Sequence, residues 1–253
     1  MSDVLLTSRQ GRLLRLALNR PEKRNALNAE LCRALVAAVE DAGRDPAVGV
    51  VLLTGEGKSF CAGMDLAEIG NTRTSELNRY HEELFTLGAR STKPLIAAVR
   101  GAALGGGTGL VANCHIAIAG QDATFGLTEI RLGLWPFVIY RAVTAALGDR
   151  RALELALTGR VFDAGEAQEA GLVHEVVEDP ESRAAEVAQA VASSSPVAIR
   201  SGMTFVHETK GKDGETAGQI ARRFRDELLS GRDFQEGVRA FLERRRPKWP
   251  SIE

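Results

Sequence analysis

"GAALGGGTGL", residues 101–110, places five glycines in ten positions directly after the apolar stretch "PLIAAV" at 94–99. A glycine inside an element costs roughly 0.5–1 kcal/mol relative to alanine, so such a cluster needs an offsetting reason. Three reasons are available: a positive-φ turn, a close backbone approach, or N–H groups that must reach a ligand. A second stretch has the same setting, "GKSFCAGMDL" at 57–66, which follows the aliphatic run "VGVVLLTG" at 48–55. Each passes from an extended segment toward a helix start, where the first N–H groups lack intrahelical partners and carry the positive end of the dipole. Side by side, the two turns would offer two N–H donors to one oxygen, the arrangement of an oxyanion hole. The pattern equally accommodates two tight turns that serve only backbone packing.

Outward from these turns, "GRLLRLAL" (11–18) and "AVGVVLLTG" (47–55) read as strands, the second apolar enough to be buried on both faces. Between them Asn28 is a good N-cap for a helix over 29–43, with Leu31, Leu35, Ala38, Val39 and Ala42 at helical spacing. The stretches 65–69 and 75–91 are helix-compatible, and "HIAIAG" (115–120) and "ATFG" (123–126) are short strands. Apolar helices follow at 137–148 and 150–159, and Asp163 with Glu166 makes a capping-type start for 164–172. From about Pro180 no strand signal remains. The expected organisation is an α/β core over 1–190 and a helical C-terminal region over 191–253.

The 253 residues suit one large α/β domain or a domain with an appendage, and 44% hydrophobic with 26% charged residues is ordinary for a globular chain. A net charge of −1 supplies no electrostatic case for a nucleic-acid or membrane partner. Cys32, Cys61 and Cys114 show no paired spacing, which predicts a reducing compartment. No signal peptide is read, and no apolar run approaches the roughly 18 residues of a spanning helix. A cytoplasmic protein is expected.

Other chemistries fail on particular residues. A phosphate loop needs a lysine where Gly107 stands. Gly107, Gly109 and Ala112 fit a dinucleotide spacing, but past the strand end rather than on the strand–helix turn. "HEELF" at 81 and "HETKG" at 207 each lack a second histidine, so no metal site is expected. His81 and His207 are expected on helix surfaces and His115 in the core. No serine sits in a G-x-S-x-G elbow, and Cys61 and Cys114 lie in apolar company that makes thiols inert.

Five ordered motifs, "LNRPEKRNALN" (18–28), "GEGKSFCAGMDL" (55–66), "GAALGGGTGL", "ATFGLTEIRLGLWP" (123–136) and "FLERRRPKW" (241–249), together resemble the crotonase superfamily of enoyl-CoA hydratases and isomerases. The resemblance spans essentially the whole chain. It implies a spiral of ββα units with a C-terminal helical region that assembles homotrimers, often paired into homohexamers. It also implies an acyl-CoA thioester substrate that brings its own coenzyme A, no separate cofactor, and a thioester enolate held by two backbone N–H groups. Carried over by position, these donors are Met64 and Gly106, and Glu129 in "LTEIRLG" is the catalytic carboxylate. Lys23, Arg24, Ala26, Ala62, Gly63, Asp65, Leu66, Gly105, Gly109, Trp135 and Phe137 are implied along the substrate path. Arg244 and Arg245 either reach CoA phosphates or form a solvated helix end.

The departure from the family pattern is at Gly109, where hydratases carry the first of two glutamates that hold a water. Phe137 and Tyr140 also stand where hydratases usually have a glycine-rich helix start. One carboxylate suits moving a proton from one carbon to another, which shifts a double bond. Enoyl-CoA isomerisation is therefore expected ahead of hydration. The alternatives are a hydratase, another enolate reaction such as thioester hydrolysis or decarboxylation, and a non-catalytic CoA-thioester-binding oligomer. Glu129 as a mere surface carboxylate on a loop is the competing reading of that residue.

Overall fold

The structure is a computed structural model that describes residues 4–68 and 74–252. The chain enters as a hairpin, β1 (Leu5–Gln10) and β2 (Leu13–Leu18), then runs through a 3-10 turn into α1 (Ala29–Arg44) and β3 (Val50–Gly55). Helices α2 (Thr74–Leu84) and α3 (Leu87–Arg90) lead to β4 (Leu95–Val99), β5 (Ala102–Leu104) and α4 (Gly106–Asn113). Next come β6 (Ile116–Gly120), β7 (Thr124–Gly126), α5 (Phe137–Leu147), α6 (Asp149–Thr158), β8 (Val161–Asp163), α7 (Ala164–Ala170) and β9 (Glu175–Val177). Four helices close the chain: α8 (Pro180–Ala192), α9 (Pro196–Thr209), α10 (Gly214–Leu229) and α11 (Arg232–Leu242). Among the described residues no helix is long and apolar enough to cross a membrane.

The main sheet has the order β1-β2-β3-β4-β6-β9, antiparallel only between β1 and β2, and a small sheet β5-β7-β8 stands beside it. Strand β3 is buried at every position because both of its faces are covered. Val51 and Leu53 join the core under α1, where Leu31, Leu35 and Val39 form the inward stripe. Val50 and Leu52 face the other way, against Ala184, Ala188 and Ala192 of α8. Alanine at every fourth position lets that helix lie close on the sheet. Asn28 caps α1 by accepting the Leu31 N–H at 2.9 Å, and Asp163 caps α7 by accepting the Glu166 N–H at 2.9 Å, both as expected from the sequence.

Among the strands that escape the sequence reading are β1 and β5. β1 exposes nearly every side chain as an edge strand, so it lacks a hydrophobic signature. β5 is only three residues long and lies inside the glycine cluster, where pairing with β7 rather than composition makes it a strand.

Candidate active site

Both glycine turns lie beyond the carboxyl ends of parallel strands, and they are zipped together. The Cys61 N–H donates to Ala102 O at 3.0 Å, and the Leu104 N–H donates to Cys61 O at 3.0 Å. Gly63 (φ +92) and Gly105 (φ +52) turn the chain through backbone conformations that side chains disfavour. A methyl on Gly63 would lie 2.8 Å from Leu104 O and 3.4 Å from the Gly106 nitrogen, so the turns touch at the point of interest. Around them the N–H groups are used: Leu27 donates to Gly63 O at 2.7 Å, Asp65 to Leu27 O at 3.0 Å, and Gly105 to Gly126 O at 2.8 Å. Among the described residues the N–H groups of Met64 and Gly106 donate to nothing. Two adjacent free donors, one of them at a helix start, suit a developing negative oxygen.

Glu129 sits on a 3-10 turn at 128–132, which ends at Gly133 with φ +73. It is no surface carboxylate. Its Oε2 is shut off from solvent without a hydrogen-bond partner, and burial raises its pKa above the ordinary carboxylate value. Its Oε1 lies only 2.9 Å from where a side chain on Gly105 would begin. The glycine that turns the chain into α4 therefore also makes room for the carboxylate.

The space at Gly109 is filled by neighbouring apolar side chains. A methyl on Gly109 would overlap Ile139 and lie 3.1 Å from Phe85. Phe137 instead points largely into solvent at the start of α5, and Tyr140 packs against the half-buried Trp135 with ring centroids 5.8 Å apart. Phe85 also lies 3.1 Å from a methyl on Gly106, so an apolar wall stands where a second carboxylate would be.

The segment 23–27 runs beside 62–65, with the Ala62 N–H donating to Arg24 O at 2.9 Å and Ala26 half-buried; the Lys23 and Arg24 side chains are exposed. Asn25, which the sequence reading passed over, is the pin of this segment. Fully buried with φ +55, it accepts the Arg20 N–H at 2.8 Å and donates to Glu56 O at 2.9 Å and Ser59 O at 2.8 Å. Asp65 is tied into the turn itself. Its carboxylate is engaged by Arg20 at 2.8 Å and the Ala67 N–H at 3.2 Å, so it shapes the turn; Leu66 is exposed. Thr108 was also missed. Its hydroxyl donates to Ala103 O at 2.7 Å and accepts the Gly126 N–H at 3.1 Å, fixing α4 against β5 and β7 of the small sheet.

Arg245 is held by Glu236 and Glu243 of its own chain at 2.5 Å each, so its charge is not free for a phosphate; Arg244 is exposed. His81 is not on the surface. It is 7% exposed, with its ring 6.1 Å from Phe85 and its Nε2 unpartnered, because α2 lays that face inward. His207 is exposed, and His115, expected in the core, is exposed as well because it lies just before β6 rather than within it, where its Nδ1 accepts the Leu95 N–H at 2.9 Å. Burial pushes the Cys61 and Cys114 thiols up to about 12, which keeps them protonated and unreactive. No cluster of metal-ligating side chains occurs among the described residues.

Comparison with known proteins matches residues 8–251 to the family model described as Enoyl-CoA hydratase/isomerase. The chain is 36% identical over 245 residues to the mevalonyl-coenzyme A hydratase of Aspergillus fumigatus, covering 94% of this chain and 91% of that one. It is 35% identical to the 2,3-dehydroadipyl-CoA hydratase of Escherichia coli, covering 96% and 97%. Among solved structures, an enoyl-CoA hydratase from Mycobacterium smegmatis superimposes with a TM-score of 0.91 at 32% identity, covering 98% and 99% of the two chains. These relatives carry hydratase names, so the expected lead of double-bond isomerisation over hydration finds no support among them.

Proposed function

The chain belongs to the enoyl-CoA hydratase/isomerase family and is an acyl-CoA-processing enzyme of the crotonase fold; from that premise we propose that it adds water across the double bond of a 2-enoyl-CoA thioester, with Glu129 as its working carboxylate. The observation that carries this reading is the unpartnered Glu129 Oε2 behind two free N–H donors. In the proposed step the thioester oxygen accepts from Met64 and Gly106. Glu129 takes a proton from water as the water oxygen bonds to Cβ, and the electron pair of the double bond moves into the enolate. The same carboxyl then returns the proton to Cα as the enolate collapses. Coenzyme A arrives with the substrate and the scheme uses no further cofactor. A cytoplasmic setting belongs to this reading, supported by three free cysteines.

The wall of Ile139 and Phe85 at Gly109 favours a second reading, a 3-enoyl to 2-enoyl shift in which Glu129 alone takes a proton from one carbon and returns it to another. Purified protein is assayed with a 2-enoyl-CoA, read by loss of the enoyl-thioester absorbance, and with a 3-enoyl-CoA, read by its gain. Hydration of the first supports the main reading, and conversion of the second without hydration supports the other. Turnover of neither, with CoA-thioester binding retained, rejects both in favour of a binding protein.

The wall also makes a prediction. Gly109→Glu alone is expected to destabilise the fold, because its Cβ overlaps Ile139 and overpacking costs roughly 1–3 kcal/mol. Combined with Ile139→Ala, the new carboxylate gains room and hydration is expected to rise at least tenfold, a conservative share of the roughly 10²–10⁴ available to a second acid–base group. Steady-state hydration and thermal midpoints of wild type and the two variants check this.

Assembly is part of the same proposal. Phe241 and Leu242 on α11 are 83% and 74% exposed, and they border an apolar groove of about 710 Å³ shared with Phe234, Val238 and Trp249. Large apolar side chains in one contiguous surface favour subunit contact. A homotrimer or homohexamer is expected by light scattering at micromolar concentration, and Phe241→Glu is expected to shift it toward monomer.

A further inference from the structure

At the opposite end of the parallel strands, before β3 and β4 begin, the chain forms a notch of about 60 Å³ lined by Arg12, Thr92, Lys93, Ser194 and Arg200. Three cations from three separate parts of the chain converge there: Arg12 from the β1–β2 turn, Lys93 from the approach to β4, and Arg200 from the first turns of α9. None of the three has a carboxylate within ion-pair distance among the described residues. The acid that acts on Lys93 is Asp45, whose carboxylate is already engaged by Arg9 at 3.3 Å and the Ala47 N–H at 2.8 Å.

Arg12 is the most telling of the three. Its Nε and Nη1 are both shut off from solvent without an acceptor, the guanidinium lying against Gly49. Burial and the neighbouring Arg9 lower its pKa, and burial together with Arg12 and Arg200 lowers that of Lys93. Among the described residues the Lys93 ammonium donates to Val48 O at 2.7 Å, which leaves two of its three donors for the notch. The N-terminal turn of α9, whose Pro196, Ile199 and Arg200 line the notch, adds the positive end of a 14-residue helix. Mutually repelling cations gathered around a polar recess are stabilised when an anion fills it.

The geometry points to a binding site for one tetrahedral oxyanion, inorganic phosphate or sulfate, held by Arg12, Lys93 and Arg200 and separate from the acyl-CoA site. The separation follows from β3, whose six residues span about 17 Å between the notch and the end that carries the glycine turns. The recess has room for a small oxyanion and not for a nucleotide. An anion there joins the sheet to the start of α9, so its binding is expected to stabilise the docking of the C-terminal helices.

Calorimetric titration of inorganic phosphate into the full-length protein, at constant ionic strength in chloride, tests the assignment. One saturable phosphate per chain is expected, displaced by sulfate and not by acetate. Arg200→Gln, on an exposed helix position, and Lys93→Gln are each expected to weaken binding about tenfold. The rise in thermal midpoint with phosphate should shrink in both variants. Absence of saturable binding, or a phosphate affinity unchanged in both variants, as for phosphate held at the acyl-CoA site, overturns the proposal.

Discussion

Glu129→Gln is expected to lower kcat by roughly 10²–10⁴, the usual worth of a positioned acid–base group, with little change in CoA-thioester affinity. The substitution keeps the size of the side chain and removes its proton acceptor. Either of the two reactions considered above needs that acceptor, so wild-type turnover in the variant would remove Glu129 from the mechanism. The same variant carries a stability signature. Burial raises the folded-state pKa of Glu129 above the ordinary 4.5 of a glutamate, so the folded state binds the proton more tightly than the unfolded chain. The wild-type protein therefore loses stability as pH rises from 4.5 through the raised folded value. Glutamine has no charge to desolvate, so the thermal midpoint of the variant is expected to gain on wild type across that interval and stay ahead above it. For the wild-type enzyme the acid limb of kcat/KM is expected above pH 4.5, where the free carboxylate forms. A gap in midpoint that does not vary with pH would mean that Glu129 is solvated in the native state.

Gly107→Ala is expected to be the more damaging change to the fold around the site. A single methyl at that position overlaps the carbonyl oxygen of Cys61, which accepts the Leu104 N–H and so helps zip the two turns. Backbone on the other side of the contact cannot rotate away as a flexible side chain can, so the turns must separate. Overpacking of this kind costs roughly 1–3 kcal/mol. Separating the Met64 and Gly106 donors by about 1 Å is expected to cost a further factor of about 10² in turnover. Gly202→Ala is the control, because it lies within α9 with open space around it and is expected to gain up to about 1 kcal/mol in helix stability. Urea unfolding and enoyl-CoA turnover of both variants separate a local steric effect from a general intolerance of alanine. Equal activity in Gly107→Ala and wild type would show that the close approach is dispensable.

Much of this architecture was legible in the residues. The aliphatic run at 50–53, the Asn28 and Asp163 caps and the spacing of Leu31, Leu35 and Val39 are local signals, set by burial on two faces, by orphan N–H groups and by helical period. The two glycine turns were also readable, because excess glycine has few physical excuses. Their juxtaposition was not. Residues 61 and 103 are far apart in sequence, and only the sheet order that sets β3 beside β4 brings them into a bridge. Tertiary packing likewise decided what a missing side chain at Gly109 means, since Ile139 rather than Phe137 or Tyr140 reaches it, a consequence of how α5 is rotated against α4. It turned Asp65 toward Arg20, buried His81 and emptied the surroundings of Glu129 Oε2 of partners. Sequence by itself determined which elements and which backbone donors exist, because those depend on neighbours a few residues away. Contacts across the fold decided which of them face one another, because burial and charge pairing depend on atoms that the chain brings together only when it is folded.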